Sequence, residues 1–101
     1  MHVMVLTEFP PHKAAEVAKT YIKREYPKTP TFVKQLYLVV NTAHNIKGYQ
    51  LFKIEDAKIK EGLAYLNQVQ AEFISIEGYK LRIEVVLTPE EALPLYGFKT
   101  T

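Results

Sequence analysis

The amino-acid sequence predicts an α+β domain: a four-stranded antiparallel sheet carrying two helices on one face. Three observations predict it. Periodic segments follow one another in the order strand, helix, strand, strand, helix, strand. Two of them are amphipathic at helical spacing. A third, Tyr79 to Leu87, alternates apolar and charged residues with the period of a half-buried strand. Two strand-helix-strand units with short links and right-handed crossovers place both helices on one side of the sheet, and the expected spatial order of strands is 4-1-3-2.

Taken in order, His2 to Phe9 is apolar at nearly every position through Leu6, as for a central strand covered on both faces. Pro10 and Pro11 stop it and suit the opening of a helix, where a missing N–H costs nothing. From His12 to Tyr26, Ala14, Val17, Ala18, Tyr21 and Ile22 recur at helical spacing, and Pro27 and Pro30 end the helix. Phe32 to Asn41 is rich in strand formers, Thr42 to Lys47 is polar, and Gly48 to Glu55 resumes a strand pattern, so the two strands read as an antiparallel hairpin. The period alone leaves open which side of the third strand faces inward, since Gln50, Phe52 and Ile54 compete with Tyr49, Leu51 and Lys53.

Asp56 reads as the N-cap of a second helix over residues 57–74, with Ile59, Leu63, Leu66, Gln70 and Phe73 on one stripe. Gly62 inside that stripe costs about 1 kcal/mol relative to Ala, which points to close packing on the sheet. Gly78 turns the chain into the fourth strand. Thr88, Pro89 and Glu91 form a capping box with Pro at the first helical position. Residues 1–88 make the domain and 89–101 a tail, whose Leu93, Leu95, Tyr96 and Phe98 are expected to dock on apolar surface.

Composition excludes several classes. At 101 residues, 48% of them hydrophobic and 24% charged, the chain is one ordinary globular domain. A net charge of +2 with Lys and Glu interspersed does not by itself argue for nucleic acid as the partner. The absence of cysteine rules out disulfides, thiolate metal sites and cysteine nucleophiles. Met1 leads directly into a strand pattern, and no apolar run approaches the roughly 18 residues of a membrane span. A cytoplasmic location without membrane contact is the expectation. His2, His12 and His44 have no spacing that makes them converge, so neither a metal nor another cofactor is expected.

The element order resembles the ferredoxin-like split βαβ sandwich. In the first two long strands Met4 and Leu6 alternate with Val3 and Val5, and Leu36 and Leu38 with Tyr37 and Val39, which leaves no polar side. Over residues 1 to 88 the size and order of elements therefore resemble the dimeric α/β-barrel superfamily. The tail Glu90-Glu91-Ala92-Leu93-Pro94-Leu95 resembles the endings of a branch of small proteins within it. That resemblance implies a homodimer through the open sheet faces, and activities such as cofactor-free oxygenation of aromatic substrates, haem binding or degradation, and lactone isomerisation. The haem-degrading type uses a His on the second helix with Trp and Asn, whereas this chain has no Trp and no His there. Acylphosphatase, of similar topology, uses an Arg after the first strand, and residues 8–12 contain none.

The candidate site residues are polar groups on otherwise apolar strands. Tyr37, Tyr49 and Arg82 are candidates for ligand binding. Glu84 or His44 would serve as base, with Arg82 steadying negative charge. Each has a plainer alternative: a charged edge strand for Arg82 and Glu84, packing for the tyrosines, and solvation for His44. The function expected is binding or cofactor-free transformation of a small aromatic or carbonyl-containing molecule, and whether the chain is an enzyme stays open. Two alternatives stand beside it. Lys47-Gly48-Tyr49 resembles the opening of the third-strand motif of RNA-recognition modules, although Leu51 replaces the next stacking aromatic and the first strand has no aromatic at its centre, so the open face is expected to stack at most one base and nucleic acid is not the expected partner. The other is a purely structural dimer.

Overall fold

The computed structural model describes residues 1–23 and 28–98. Strand β1 (His2–Phe9) is followed by a 3-10 turn, Pro11–Lys13, and helix α1 (Ala14–Lys23). The expected extension of this helix to Tyr26 lies outside the described residues. Strands β2 (Val33–Asn41) and β3 (Ile46–Ile54) form the hairpin, a 3-10 turn (Asp56–Lys58) leads into helix α2 (Ile59–Ile74), and β4 (Lys80–Val86) closes the sequence of strands. The sheet is antiparallel throughout, in the order β2-β3-β1-β4, as the alternating units require.

Register divides the apolar residues between two faces. Val3 pairs with Phe52 and Val85, and Val5 with Gln50 and Ile83, so these residues share the face under the helices. Val3, Val5 and Ile54 are 0% exposed, and with Val33, Phe52 and Leu66 they form the core. At about 25 cal/mol per Å² of apolar surface, burying each such side chain contributes on the order of 1.5–3 kcal/mol. Gln50, Phe52 and Ile54 are thus the inward set of β3, while Tyr49, Leu51 and Lys53 look the other way. A β-bulge between Gln35 and Tyr37 lets β2 keep this phase on both sides of Leu36.

The helices hold the sheet unequally. Helix α2 buries Gly62, Leu66, Gln70 and Phe73. A Cβ at Gly62 would lie 2.7 Å from both Ile54 Cδ1 and Cγ2, so the close packing expected there is present. None of the residues of α1 is buried, although its apolar side faces the sheet. Asp56 does not cap α2: its carboxylate accepts from the Met1 ammonium at 2.7 Å, and Lys58 precedes the helix without a side-chain cap. Gly78 turns the chain at φ 85°.

A further expectation is corrected. Among the described residues the sheet is open, with β2 and β4 as its unpaired edges, and no pairing joins those two strands to close it into a barrel. Strand β1 is covered by helices on one face only; on the other, Met4, Leu6, Tyr49 and Leu51 are half-buried within one chain, whereas Tyr37 and Val39 of β2 are exposed. The capping box forms as expected, Thr88 Oγ1 accepting from the Glu91 N–H and Glu91 Oε1 from the Thr88 N–H, and starts the short helix α3 (Pro89–Ala92). Leu93, Leu95, Tyr96 and Phe98 are all exposed; the remaining tail residues, 99–101, lie outside the described residues. Among the described residues, no helix is long and apolar enough to cross a membrane.

Candidate functional site

The side of α1 turned to the sheet is built from small residues, Ala14, Val17 and Ala18, and the strands beneath it present Thr7 and Gly48. Neither surface reaches across, so a cleft of about 370 Å³ remains between them. A Cβ on Gly48 would stand 2.5 Å from Thr7 Oγ1, so glycine keeps the cleft floor open. One wall is an aromatic ladder. Phe9 and Tyr79 stack with ring centroids 5.9 Å apart, and Tyr79 stacks in turn on Phe73 at 5.5 Å. Tyr21, Leu38 and Val40 border the mouth and are exposed.

Polar groups in this cleft are few and uncharged. Gln70, only 5% exposed, accepts the Tyr79 hydroxyl hydrogen bond on Oε1 at 3.0 Å, which fixes its amide against the aromatic wall. Gln50 projects from β3 beside it. A smaller cleft of about 200 Å³ adjoins, sharing Tyr21, Leu38, Gln50 and Gln70, and is bordered by Tyr65, whose hydroxyl lies 3.1 Å from Thr29 Oγ1. Among the described residues, no charged side chain lines either space.

The residues singled out from sequence lie elsewhere. Tyr49 and Arg82 line a cleft of about 360 Å³ on the opposite, open face, with Leu6, Glu8, Lys47 and Lys80. Glu84 accepts hydrogen bonds from Arg82 Nε at 3.0 Å and from Arg82 Nη2, and this pairing raises the guanidinium pKa further. Tyr37 is on the same face, on β2, beyond that cleft. His44 is exposed in the β2–β3 turn, away from both Arg82 and Glu84 in the sheet. In that turn Asn45 Nδ2 donates to Glu8 Oε2 at 2.7 Å. This bond, assisted by Lys47 and Lys80, holds the Glu8 carboxyl below the usual carboxylate range against the opposing effect of desolvation. Among the described residues, no group of His, Asp and Glu is placed to hold a metal ion.

Gln70, Tyr79, Phe73 and Val17 were not among the candidates. Only Gln70 carried a signal, as a polar residue on the apolar stripe of its helix, and that spacing served to define the helix. Comparisons with protein-family models, curated proteins and solved structures found no match to this chain. The resemblance to the dimeric α/β-barrel superfamily is corrected accordingly: no family match supports it, and the fold is an open ferredoxin-like arrangement.

Proposed function

We propose that the chain binds an uncharged, largely apolar small molecule in the cleft between α1 and the sheet. The observation that carries this reading is the lining: aromatic and aliphatic walls around a few hydrogen-bonding groups, Thr7, Gln50, Gln70 and Tyr79, with no charge among the described residues. A volume of about 370 Å³ falls within the range of small-molecule sites. An ionised ligand would lose hydration there without gaining a counter-charge, a cost of several kcal/mol, so neutral molecules are favoured. A planar ring suits the ladder of Phe9, Tyr79 and Phe73.

The test uses the neutral fluorophore N-phenyl-1-naphthylamine. The expected result is saturable binding at one site per chain with a blue shift of emission, weakened at least tenfold by Ala18→Phe, which fills the cleft from the surface of α1 without touching the core. Binding that never saturates, or an affinity unchanged in Ala18→Phe, would overturn the reading.

A further inference from the structure

The open face of the sheet carries a second arrangement, independent of the helix-covered cleft. Across β2, β3, β1 and β4, pairing sets Val39, Tyr49, Leu6 and Arg82 in one row and Tyr37, Leu51, Met4 and Glu84 in the next. The row beyond the first contains Lys47, Glu8 and Lys80, and the row beyond the second contains Lys34, Lys53 and His2. An apolar patch holding both tyrosines is therefore bounded by lysines at each end.

Charge is concentrated here. The face gathers Lys34, Lys47, Lys53, Lys80 and Arg82 against Glu8 and Glu84, whereas the chain as a whole is only +2. Glu84 is engaged by Arg82 and Glu8 by Asn45, so neither carboxylate occupies the lysines in a direct ion pair among the described residues. Tyr37 is 66% exposed, and Tyr49 forms part of the wall of a cleft that also includes Lys47, Lys80 and Arg82. The two tyrosines are diagonal neighbours on adjacent strands, about 7–8 Å apart. That interval suits two successive bases of an extended strand. Aromatic faces stack any base, and lysines at the patch ends neutralise phosphates with release of counterions.

We propose that this face binds single-stranded nucleic acid, with Tyr37 and Tyr49 as stacking platforms and Lys47, Lys80, Lys34 and Lys53 as phosphate contacts. A duplex is not accommodated, because its bases are not free to lie on the tyrosines.

The experiment is fluorescence anisotropy with labelled ten-nucleotide oligouridylate and oligothymidylate and a ten-base-pair duplex, at 50 and 200 mM salt. Binding of either single strand, weakening severalfold at the higher salt and tighter than to the duplex, is expected, and the ratio of the two affinities tells RNA from DNA as the source. Tyr37→Leu and Tyr49→Leu keep the patch apolar and leave the core untouched; each should weaken binding about tenfold. Lys47→Gln should weaken it and flatten the salt dependence. No binding at 50 mM salt, equal affinity for the duplex, or leucine variants that bind like the parent chain would each overturn the proposal, the last by showing attraction through charge alone.

Discussion

Gly62 and Ile54 meet so closely that a single methyl group decides between two opposing effects. In a helix Ala is favoured over Gly by about 1 kcal/mol. Here that Cβ would press on Cδ1, Cγ2 and Cγ1 of Ile54, which is wholly buried and cannot swing away. Overpacking of this kind costs about 1–3 kcal/mol, so the packing effect wins. Gly62→Ala is expected to lower the urea midpoint, with Ile54→Val, which removes Cδ1, recovering part of the loss in the double variant. A midpoint raised by Gly62→Ala alone would contradict the packing. Close packing of Gly62 on the sheet was legible in the sequence, because a glycine inside a helical stripe has few other uses, whereas its partner Ile54 emerges only from the fold. The role of Gln70 was not, because the spacing that puts it on the apolar stripe is the same whether its amide meets a tyrosine or solvent.

Ends of elements are held by carboxylates. Glu8 closes β1 onto the hairpin turn through Asn45, Asp56 ties the start of the α2 segment to the Met1 ammonium, and Glu91 completes the cap of α3. Hydrogen bonding lowers the pKa of each: from Asn45 for Glu8, from the terminal ammonium for Asp56, and from the Thr88 backbone for Glu91. A folded-state pKa below the unfolded one contributes stability that is fully present above the ordinary carboxylate range of about 4 and is lost as pH falls through the lowered values. Thermal stability should therefore hold steady from neutral pH to about 5 and decline below it. Replacing Glu8 by Gln should shrink that decline; an unchanged acid limb would show that the bond to Asn45 is not its source. At this scale most elements could be read from period and capping residues. The space under α1 could not, because periodicity tells which side of a helix faces the sheet and not how near it comes.

For the molecule as a whole, the radius of gyration is 15.6 Å, against about 13 Å for a globular domain of 100 residues. The excess fits a helix that stands off the sheet and a tail that projects with its apolar residues exposed. Strand order followed from the alternation of units, since right-handed crossovers leave few topologies. Closure did not follow. Apolar residues at successive positions of β1 and β2 are compatible with a barrel wall, but also with an open sheet whose outer face leaves Met4 and Leu6 of β1 half-buried and Tyr37 and Val39 of β2 exposed. Tyr49 and Arg82 were found as polar residues on otherwise apolar strands, and the register places them together on the open face, whereas the cleft on the other side draws on Phe9, Val17, Gln70 and Tyr79 from four separate segments that only the fold assembles.

Thr7 and Gly48 border the clefts on both sides of the sheet. There the molecule is one backbone layer thick, with a hydrogen atom in place of a side chain on one of the paired strands. Whatever settles on one side leans on the same peptide groups as whatever settles on the other, so the two surfaces share a single mechanical diaphragm. Thermodynamic linkage then fixes the form of any communication: a molecule in the α1 cleft that alters the affinity of the open face by some factor has its own affinity altered by that same factor. Titrating labelled oligouridylate with and without saturating N-phenyl-1-naphthylamine, and the reverse, should return one common ratio different from unity. A ratio of one in both directions would mean that the diaphragm is stiff, and that the two faces of this small sheet work without knowledge of each other.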